Sequence, residues 1–452
     1  MDPPIPAALM LSMPQTRFRV QDASLRPPDL APDDEGADIP WVLLDGLAYV
    51  AERNNATTAF AKTWDGHQIQ VTLFPARPPR VSHLCVFCPG LEHTVFPLEP
   101  KILATELRII VTTKRDILKH VDYYIYQAAD DAAGGGPSLK RLPRPPSPYG
   151  FDSDVGILRC GISGQRHHAP RPHRGAAGDY YIVAGLCRAP NSLDHGEFVL
   201  CLHNSNSPTS WSTHNISLDE QHRRQYGCGF THVNSKVIAI GGDAVTDTRP
   251  IPYRRRIGGY RYPIRIRYRY VTLVKYRCNA GCDAGLARDI AVVQQGRTLK
   301  YVELQVYWKA CPTFRGRYVN DGWMSRTWSR PVTADCSGDC WDLGCKQESS
   351  EITVYSKPHF ELPPKVLGDG GMPQESFKGL EIRQPTLSLH DDDDTVYFMT
   401  NKNQMDDKAS VIAVDMKNNT LQGVAEFASG RAVGIAYTHS RISKYLMTAP
   451  GC

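Results

Sequence analysis

Residues 385–427, PTLSLHDDDDTVYFMTNKNQMDDKASVIAVDMKNNTLQGVAEF, pack four short apolar runs into one stretch of chain. Thr386–Leu389, Val396–Met399, Val411–Met416 and Leu421–Phe427 are the runs, rich as a set in Val, Ile, Tyr and Phe. Asp391–Asp394, Thr400–Ala409 and Lys417–Thr420 separate them. Those polar clusters cannot pack inside a sheet, so they turn the chain. Four antiparallel strands in roughly 45 residues is the size of one β-propeller blade. A four-stranded sheet with two apolar faces hides neither alone, so the rest of the chain must supply similar neighbours.

The same grammar recurs from Trp41 onward. WVLLDGLAYVA leads into TTAFAKTWDGHQIQVTLF, where Asp65-Gly66 marks a hairpin turn. VSHLCVF (81–87), ATELRIIVTT (104–113) and HVDYYIYQAA (120–129) read as strands, and LKRLPRPP (139–146) as an edge strand ending in prolines. Val155–Cys160, DYYIVAGL (179–186) and the two runs of 198–218, with Trp211 at their join, repeat the pattern. Hairpins follow around Asn234-Ser235 and at Gln295–Arg297, then a strand EITVYS (351–356) and an edge FELPP (360–364). Helical periodicity longer than about ten residues is nearly lacking. These features predict an all-β fold, a β-propeller-like array of degenerate four-stranded blades, about six in number. GIAYTHSRISKYLM (434–447) is placed to pair beside N-terminal strands and close the ring, removing exposed edges.

Residues 1–40, with Pro3, Pro4, Pro27, Pro28 and Pro32, read as a disordered lead, and 41–452 as a single domain. A hydrophobic content of 41% supports a sizeable core, and a net charge of +5 makes no electrostatic case for nucleic acid or membrane. MDPPIPAALMLSMPQ lacks the basic flank and apolar core of a signal peptide. No run approaches the ~18 apolar residues that cross a bilayer. Thirteen cysteines at irregular spacings suit reduced thiols. The expectation is an intracellular protein of cytoplasm or nucleus, neither secreted nor membrane-bound.

One segment departs from the pattern. Residues 249–277 hold ten Lys or Arg, six Tyr and no acid. Within it Ile264, Ile266, Tyr268 and Tyr270 alternate with Arg265, Arg267 and Arg269, as on a strand with one basic face. Such a strand could meet a phosphate backbone and stack on bases, so nucleic-acid association through Arg265, Arg267, Arg269, Tyr268 and Tyr270 is the alternative function. The plainer reading is an exposed strand whose charges are solvated.

Motifs for catalysis are wanting. Cys85 and Cys88 form a CxxC without a second pair at zinc-finger distance. Cys336, Cys340 and Cys345 lie in a Gly/Asp-rich stretch, and His167, His168 and His173 in a Pro/Arg-rich one. Inert thiols and solvated histidines account for both. Asp391–Asp394 lacks the alternating oxygens and Gly of an EF-hand. Gly134–Gly136 is not followed by the Lys-Ser/Thr of a phosphate loop, and no G-x-S-x-G elbow appears. The expectation is therefore no enzyme, no cofactor and no metal, but a non-catalytic scaffold or adaptor for a protein partner. Contact regions are expected at 130–137, 165–178, 203–215, 312–345 and 400–409. The longest carries Trp323, Trp328 and Trp341 as candidate anchors, unless they pack down on the blades. An enzyme with an unrecognised funnel site is the third possibility.

WVLLDGLAYV, NATTAFAKTWDG, RPPRVSHLCVFCPG, PKILATE, DYYIVAGL, RDIAVVQ, YVNDGW, DDDDTVYFMTN, VIAVDMKN and HSRISKYL together resemble the plant, grass-expanded domain-of-unknown-function 1618 family, from about Trp41 to Gly451. The resemblance implies a fold and a plant origin; the family has no established activity to transfer. In that family a Trp-Val-Asp-Leu-Trp-Arg-Gly type strand and a Pro-rich edge follow the position of Val237–Asp243. Here residues 245–285 hold the atypical basic Tyr/Arg segment instead.

Overall fold

Short apolar runs separated by polar turns form antiparallel ladders, and the protein is nearly all β. The structure is a computed structural model that describes residues 20–31, 34, 38–105, 109–116, 120–128, 136–151, 155–160, 180–188, 197–207, 210–217, 236–238, 264–268, 271–275, 287–293, 298–310, 318–332, 341–353, 377, 380–391, 393–401, 408–428, 431 and 437–445.

The chain begins its sheets with β1 (Val42–Asp45), β2 (Tyr49–Val50), β3 (Ala59–Lys62), β4 (Gln68–Phe74) and β5 (Val81–Phe87). The β3–β4 hairpin turns at Asp65-Gly66 as the sequence predicts: Gly66 sits at φ +84°, and its N–H bonds the Thr63 carbonyl at 3.0 Å. Next come a four-stranded sheet of β6 (Lys101–Thr105), β7 (Ile109–Asp116), β8 (His120–Gln127) and β9 (Ser138–Arg141), and another of β10 (Val155–Cys160), β11 (Tyr180–Arg188), β12 (Glu197–Asn204) and β13 (Trp211–Ser217). β14 (Lys236–Ile238), β15 (Ile264–Tyr268) and β16 (Val271–Lys275) make a three-stranded sheet with β16 in the middle. Two more four-stranded sheets follow: β17 (Arg288–Val293), β18 (Thr298–Ala310), β19 (Tyr318–Pro331) and β20 (Asp342–Glu348), then β21 (Glu381–Leu387), β22 (Thr395–Asn401), β23 (Lys408–Asp415) and β24 (Thr420–Ala428). Four sheets are thus up-and-down meanders of four strands, a propeller-like arrangement.

The last strand, β25 (Tyr437–Ser440), joins the first sheet. It runs antiparallel to β1, Val42 opposite Ser440 and Asp45 opposite Tyr437. β1 and β2 in turn lie parallel to β5. Residues 434–447 were expected beside N-terminal strands, and β25 covers an edge that β1 would otherwise leave open. The leading strands of the sheets touch in order: β6 beside β10, β10 beside β14, β14 beside β17, β17 beside β21, and β25 beside both β21 and β6. Between sheets lie the apolar clusters. One joins Val302, Leu304 and Trp323 to Phe398, Val411 and Tyr437. A second gathers Leu44, Ile69, Leu84, Tyr124 and Ile442, and a third Phe151, Val183, Val199 and Cys201. Trp211 ties the start of β13 to the segment between β9 and β10: its indole N–H donates to the Pro143 carbonyl at 3.0 Å, beside the Phe151 ring.

Three expectations need correction. ATELRIIVTT is not one strand: Thr105 stands opposite Ile109, so the chain reverses between β6 and β7. EITVYS does not begin as a strand: Ser349–Glu351 is a 3-10 turn closed by a reciprocal Glu348–Glu351 capping box, and Thr353 makes an isolated bridge to Thr420. Residues 354–364 lie outside the described residues. The lead is not disordered where it is described. Gln21 N–H and the Ser24 hydroxyl both donate to Glu99 at 3.0 Å, and Asp34 accepts the Arg77 N–H and the Arg80 guanidinium. Val20 and Ile39 are buried with them, so a proline-rich segment without ladder bonds still covers the first sheet. No helix among the described residues is long and apolar enough to cross a membrane.

Candidate functional site

Alternation along the β17–β20 sheet assigns its large side chains to two faces. Val302, Leu304 and Trp323 pack toward the β21–β24 sheet, while Ile290, Tyr301, Trp328 and Trp341 form a small cluster on the other side. Trp323 is enclosed: its ring is 5.3 Å from Phe398 and its N–H donates to the Phe377 carbonyl at 3.1 Å. The expected loop over 312–345 is, for residues 318–331, the strand β19, and Trp323 is core rather than a surface anchor. A bulge lies just before it in the chain. Gly322 takes φ +122°, its N–H bonds the Asn320 side chain at 2.8 Å, and the register slips between Tyr307 and Trp308.

Trp328 and Trp341 are half-buried. Tyr301 lies 5.3 Å from the first and 6.0 Å from the second, and the Arg330 guanidinium covers Trp341 at 5.2 Å. Ile290, Tyr301, Trp328 and Leu343 stand opposite one another across the four strands. This row runs from a buried Ile290 to a Leu343 that is 61% exposed. The two middle strands also outrun their neighbours. β17 pairs with Thr298–Glu303 and β20 with Met324–Ser329, so the hairpin half from Tyr307 to Ala310 and Tyr318 to Gly322 extends as an arm. Asn320 ties its base to the Leu380 carbonyl at 2.7 Å, Lys309 and Asp321 bridge its strands at 2.8 Å, and Trp308 upon it is 53% exposed. Trp308 and Leu343 escaped the sequence reading. The available signal for Trp308 was length: β18 has thirteen residues against six in β17 beside it, so its far end lacks that support.

The buried polar groups tie strands together. Asp289 on β17 accepts the Leu387 N–H at 3.0 Å and faces His439 of β25 at 3.3 Å. Gln384, at φ +53°, donates to the Tyr437 carbonyl, and Thr105 donates to that of His439 at 2.7 Å. A second group sits where β1 meets β2. Asp45 and Arg431 form an ion pair across 386 residues, and the guanidinium also lies 3.8 Å over the Tyr49 ring and bonds the Leu47 carbonyl at 3.1 Å. Burial pushes the Asp45 carboxyl up to about 6, against the pull of Arg431 and the Leu47 N–H. His83, stacked on Phe74 and edge-on to Tyr49, is pushed down to about 3 by burial and by the charges of Arg431 and Arg53. Burial likewise pushes Cys85 up to about 12, so this half of the CxxC is a thiol at neutral pH, and Cys88 is buried beside it.

The remaining sequence candidates are placed as follows. Asp393 accepts the Thr395 N–H at 2.9 Å and its hydroxyl, while Lys300 bonds the Asp393 carbonyl at 3.0 Å and Asp394 at 3.3 Å. Asp393 and Asp394 thus cap the turn and pin it to the neighbouring sheet, while Asp392 lies outside the described residues. Among the described residues no group of three or more His, Cys, Asp or Glu is placed to hold a metal. Cys345 is half-buried, its thiol raised by burial and by Asp394. Cys336, Cys340, His167, His168, His173, Arg269 and Tyr270 lie outside the described residues. Arg265, Arg267 and Tyr268 fall in β15, the edge strand of its sheet, opposite Val274, Thr272 and Val271.

Residues 263–397, from the start of β15 into β22, match a family model described as Protein of unknown function (DUF1618). The match supports that domain family over this span, which takes in the basic strand and the whole β17–β20 sheet. No curated protein matches the chain.

Proposed function

We propose that this chain is a non-catalytic, β-rich scaffold or adaptor whose protein partner docks on the outer half of the β17–β20 sheet. The observation that carries this reading is Leu343, 61% exposed beside Trp328 and Trp341 on strands held by ladder bonds; Trp308, 53% exposed, lies on the opposite face of the same sheet, an odd number of residues from Tyr301 along β18. Aromatic anchors on a rigid element lose little freedom on binding, which suits them to interface centres. Trp328 and Trp341 extend the Leu343 face toward the core. In this reading the six sheets are blades of one ring closed by β25, as the order of touching strands supports. It also takes the resemblance to the plant, grass-expanded family over the whole chain, and an intracellular setting.

The test is affinity capture from plant extract with the wild-type chain, Trp308→Glu and Leu343→Glu, each with and without nuclease. The reading expects a partner that survives nuclease and is lost, tenfold or more, by Leu343→Glu at unchanged melting temperature, with Trp308→Glu reporting separately on the opposite face. A partner held equally by all three chains overturns it.

A second reading has one observation in its favour. The basic strand forms a sheet edge in which Arg265 and Arg267 alternate with Ile264 and Ile266. Nucleic-acid binding there would weaken steeply with salt, log K falling by about 0.9 per phosphate contacted for each tenfold rise in salt on duplex DNA. Joint replacement of Arg265, Arg267 and Arg269 by Glu would abolish it. Binding that ignores salt, measured by fluorescence anisotropy, removes this alternative.

A further inference from the structure

Two cysteines meet on the β10–β13 sheet. Gly185 stands opposite Cys201, and Cys187 opposite Val199, so Cys187 and Cys201 are diagonal neighbours on one face of adjacent strands. Both pack on the cluster containing Phe151, Val183 and Val199. Cys201 is fully buried, whereas Cys187 is half-buried at the margin, with its sulfur 3.7 Å from the Gly150 carbonyl. Between the two strands, Gly185 makes room for Phe151: a Cβ there would lie 2.0 Å from the ring. Gly185, directly opposite Cys201, has no side chain, so Cys187 and Val183 are the diagonal neighbours of Cys201 on that face of β11. The Cys187–Cys201 contact is itself a hydrogen bond, and it lowers the Cys201 thiol from its ordinary value against the effect of burial.

We propose that Cys187 and Cys201 form a reversible redox pair that a hydroperoxide oxidises to a cross-strand disulfide. Cys187, the sulfur that solvent reaches, attacks the peroxide: an S–O bond forms, the O–O bond breaks, and the departing oxygen leaves as an alcohol or water with the thiol proton. Cys201, favoured as thiolate by its neighbour, then attacks the sulfenic sulfur. The S–S bond forms, the S–O bond breaks, and hydroxide takes up the Cys201 proton as water. Two thiols thus lose two electrons and two protons, and one peroxide is reduced. Closing the bond draws the sulfurs from hydrogen-bond contact to about 2.05 Å, pulling Cys187 off the Gly150 carbonyl and moving the strands. A disulfide made at that cost is readily re-reduced by a dithiol, which makes the pair reversible.

Neither cysteine of the CxxC has this access, since Cys85 and Cys88 are both buried. The test treats the reduced full-length chain with hydrogen peroxide, alkylates the remaining thiols and digests with trypsin. Cleavage after Arg188 parts the two cysteines, so the disulfide appears as a linked pair of peptides that dithiothreitol separates. The proposal expects this pair to form about tenfold faster than Cys85 loses its alkylation. It expects Cys201→Ser to leave Cys187 as sulfenic or more highly oxidised acid under the same treatment. In the wild-type chain, which needs no variant to fold, Cys187 driven to sulfinic or sulfonic acid while Cys201 still alkylates overturns the proposal. So does persistence of both free thiols when other cysteines have reacted.

Discussion

Arg431 illustrates what a single side chain can decide. Its ion pair with Asp45 is buried on both sides, so removing one partner strands a charge in the interior. Arg431→Ala is expected to cost about 3–5 kcal/mol, and the double variant with Asp45→Asn less than the sum of its parts, as denaturant titrations would measure. The same site sets a pH response. His83 is neutral in the folded chain down to about 3, so below its ordinary value of 6.5 the unfolded chain binds a proton that the folded chain refuses. Stability is full above pH 6.5 on this account and falls by about 1.4 kcal/mol per pH unit below it. Asp45 acts with the opposite sign: raised from 3.8 to about 6, it takes its proton first in the folded chain. Between those values the two effects oppose. His83→Phe should therefore gain about 3 kcal/mol on the wild type between pH 6.5 and pH 4, read from denaturant midpoints. Parallel curves would refute it. None of this was legible in the sequence, because Asp45 and Arg431 belong to no common local pattern and only tertiary closure brings them together.

At the scale of strands, legibility followed the strength of local signals. The Asp65-Gly66 hairpin and Val155–Cys160 were readable because alternation and turn chemistry agree there. The reversal between β6 and β7 was hidden, since ATELRIIVTT carries no Gly, Asn or Pro to announce it. Burial of Trp323 was hidden too, for what covers it, Phe377 and Phe398, comes from a later part of the chain that no local pattern names. The bulge at Gly322 gives the next prediction. With φ at +122°, Gly322→Ala places a Cβ where L residues are strained, at about 1–3 kcal/mol, and loosens the pocket around Trp323. A lower melting temperature with a red-shifted tryptophan emission would bear this out. Gly344 is a second such point: a Cβ there would lie 2.8 Å from the Thr327 hydroxyl, which accepts the Cys345 N–H at 2.9 Å. Gly344→Ala should cost less, because Thr327 sits on a partly exposed strand and can shift.

For the whole molecule the decisive contact is the pairing of β25 with β1. Its existence was foreseen from the pattern of 434–447 and the need to cover an edge; the parallel seat of β1 on β5 was not, because hydrophobic pattern cannot distinguish parallel from antiparallel neighbours at this length. Thr438 stands opposite Leu44 in that ladder. Thr438→Pro removes a donor and should open the closure, so that limited proteolysis cuts first around β1 and β25 and the chain associates on gel filtration. Loss of the strand altogether should abolish a single cooperative melting transition.

The same pairing has a meaning for how the protein is made. A ribosome adding about 5–20 residues per second delivers Tyr437 roughly 20–80 s after the strand it must join. Through that interval β1 and β5 exist as a nascent sheet with one margin bare, while every later meander can zip up as it emerges. Translation speed and chaperone supply, rather than final stability, would then govern how much of the chain reaches its finished form.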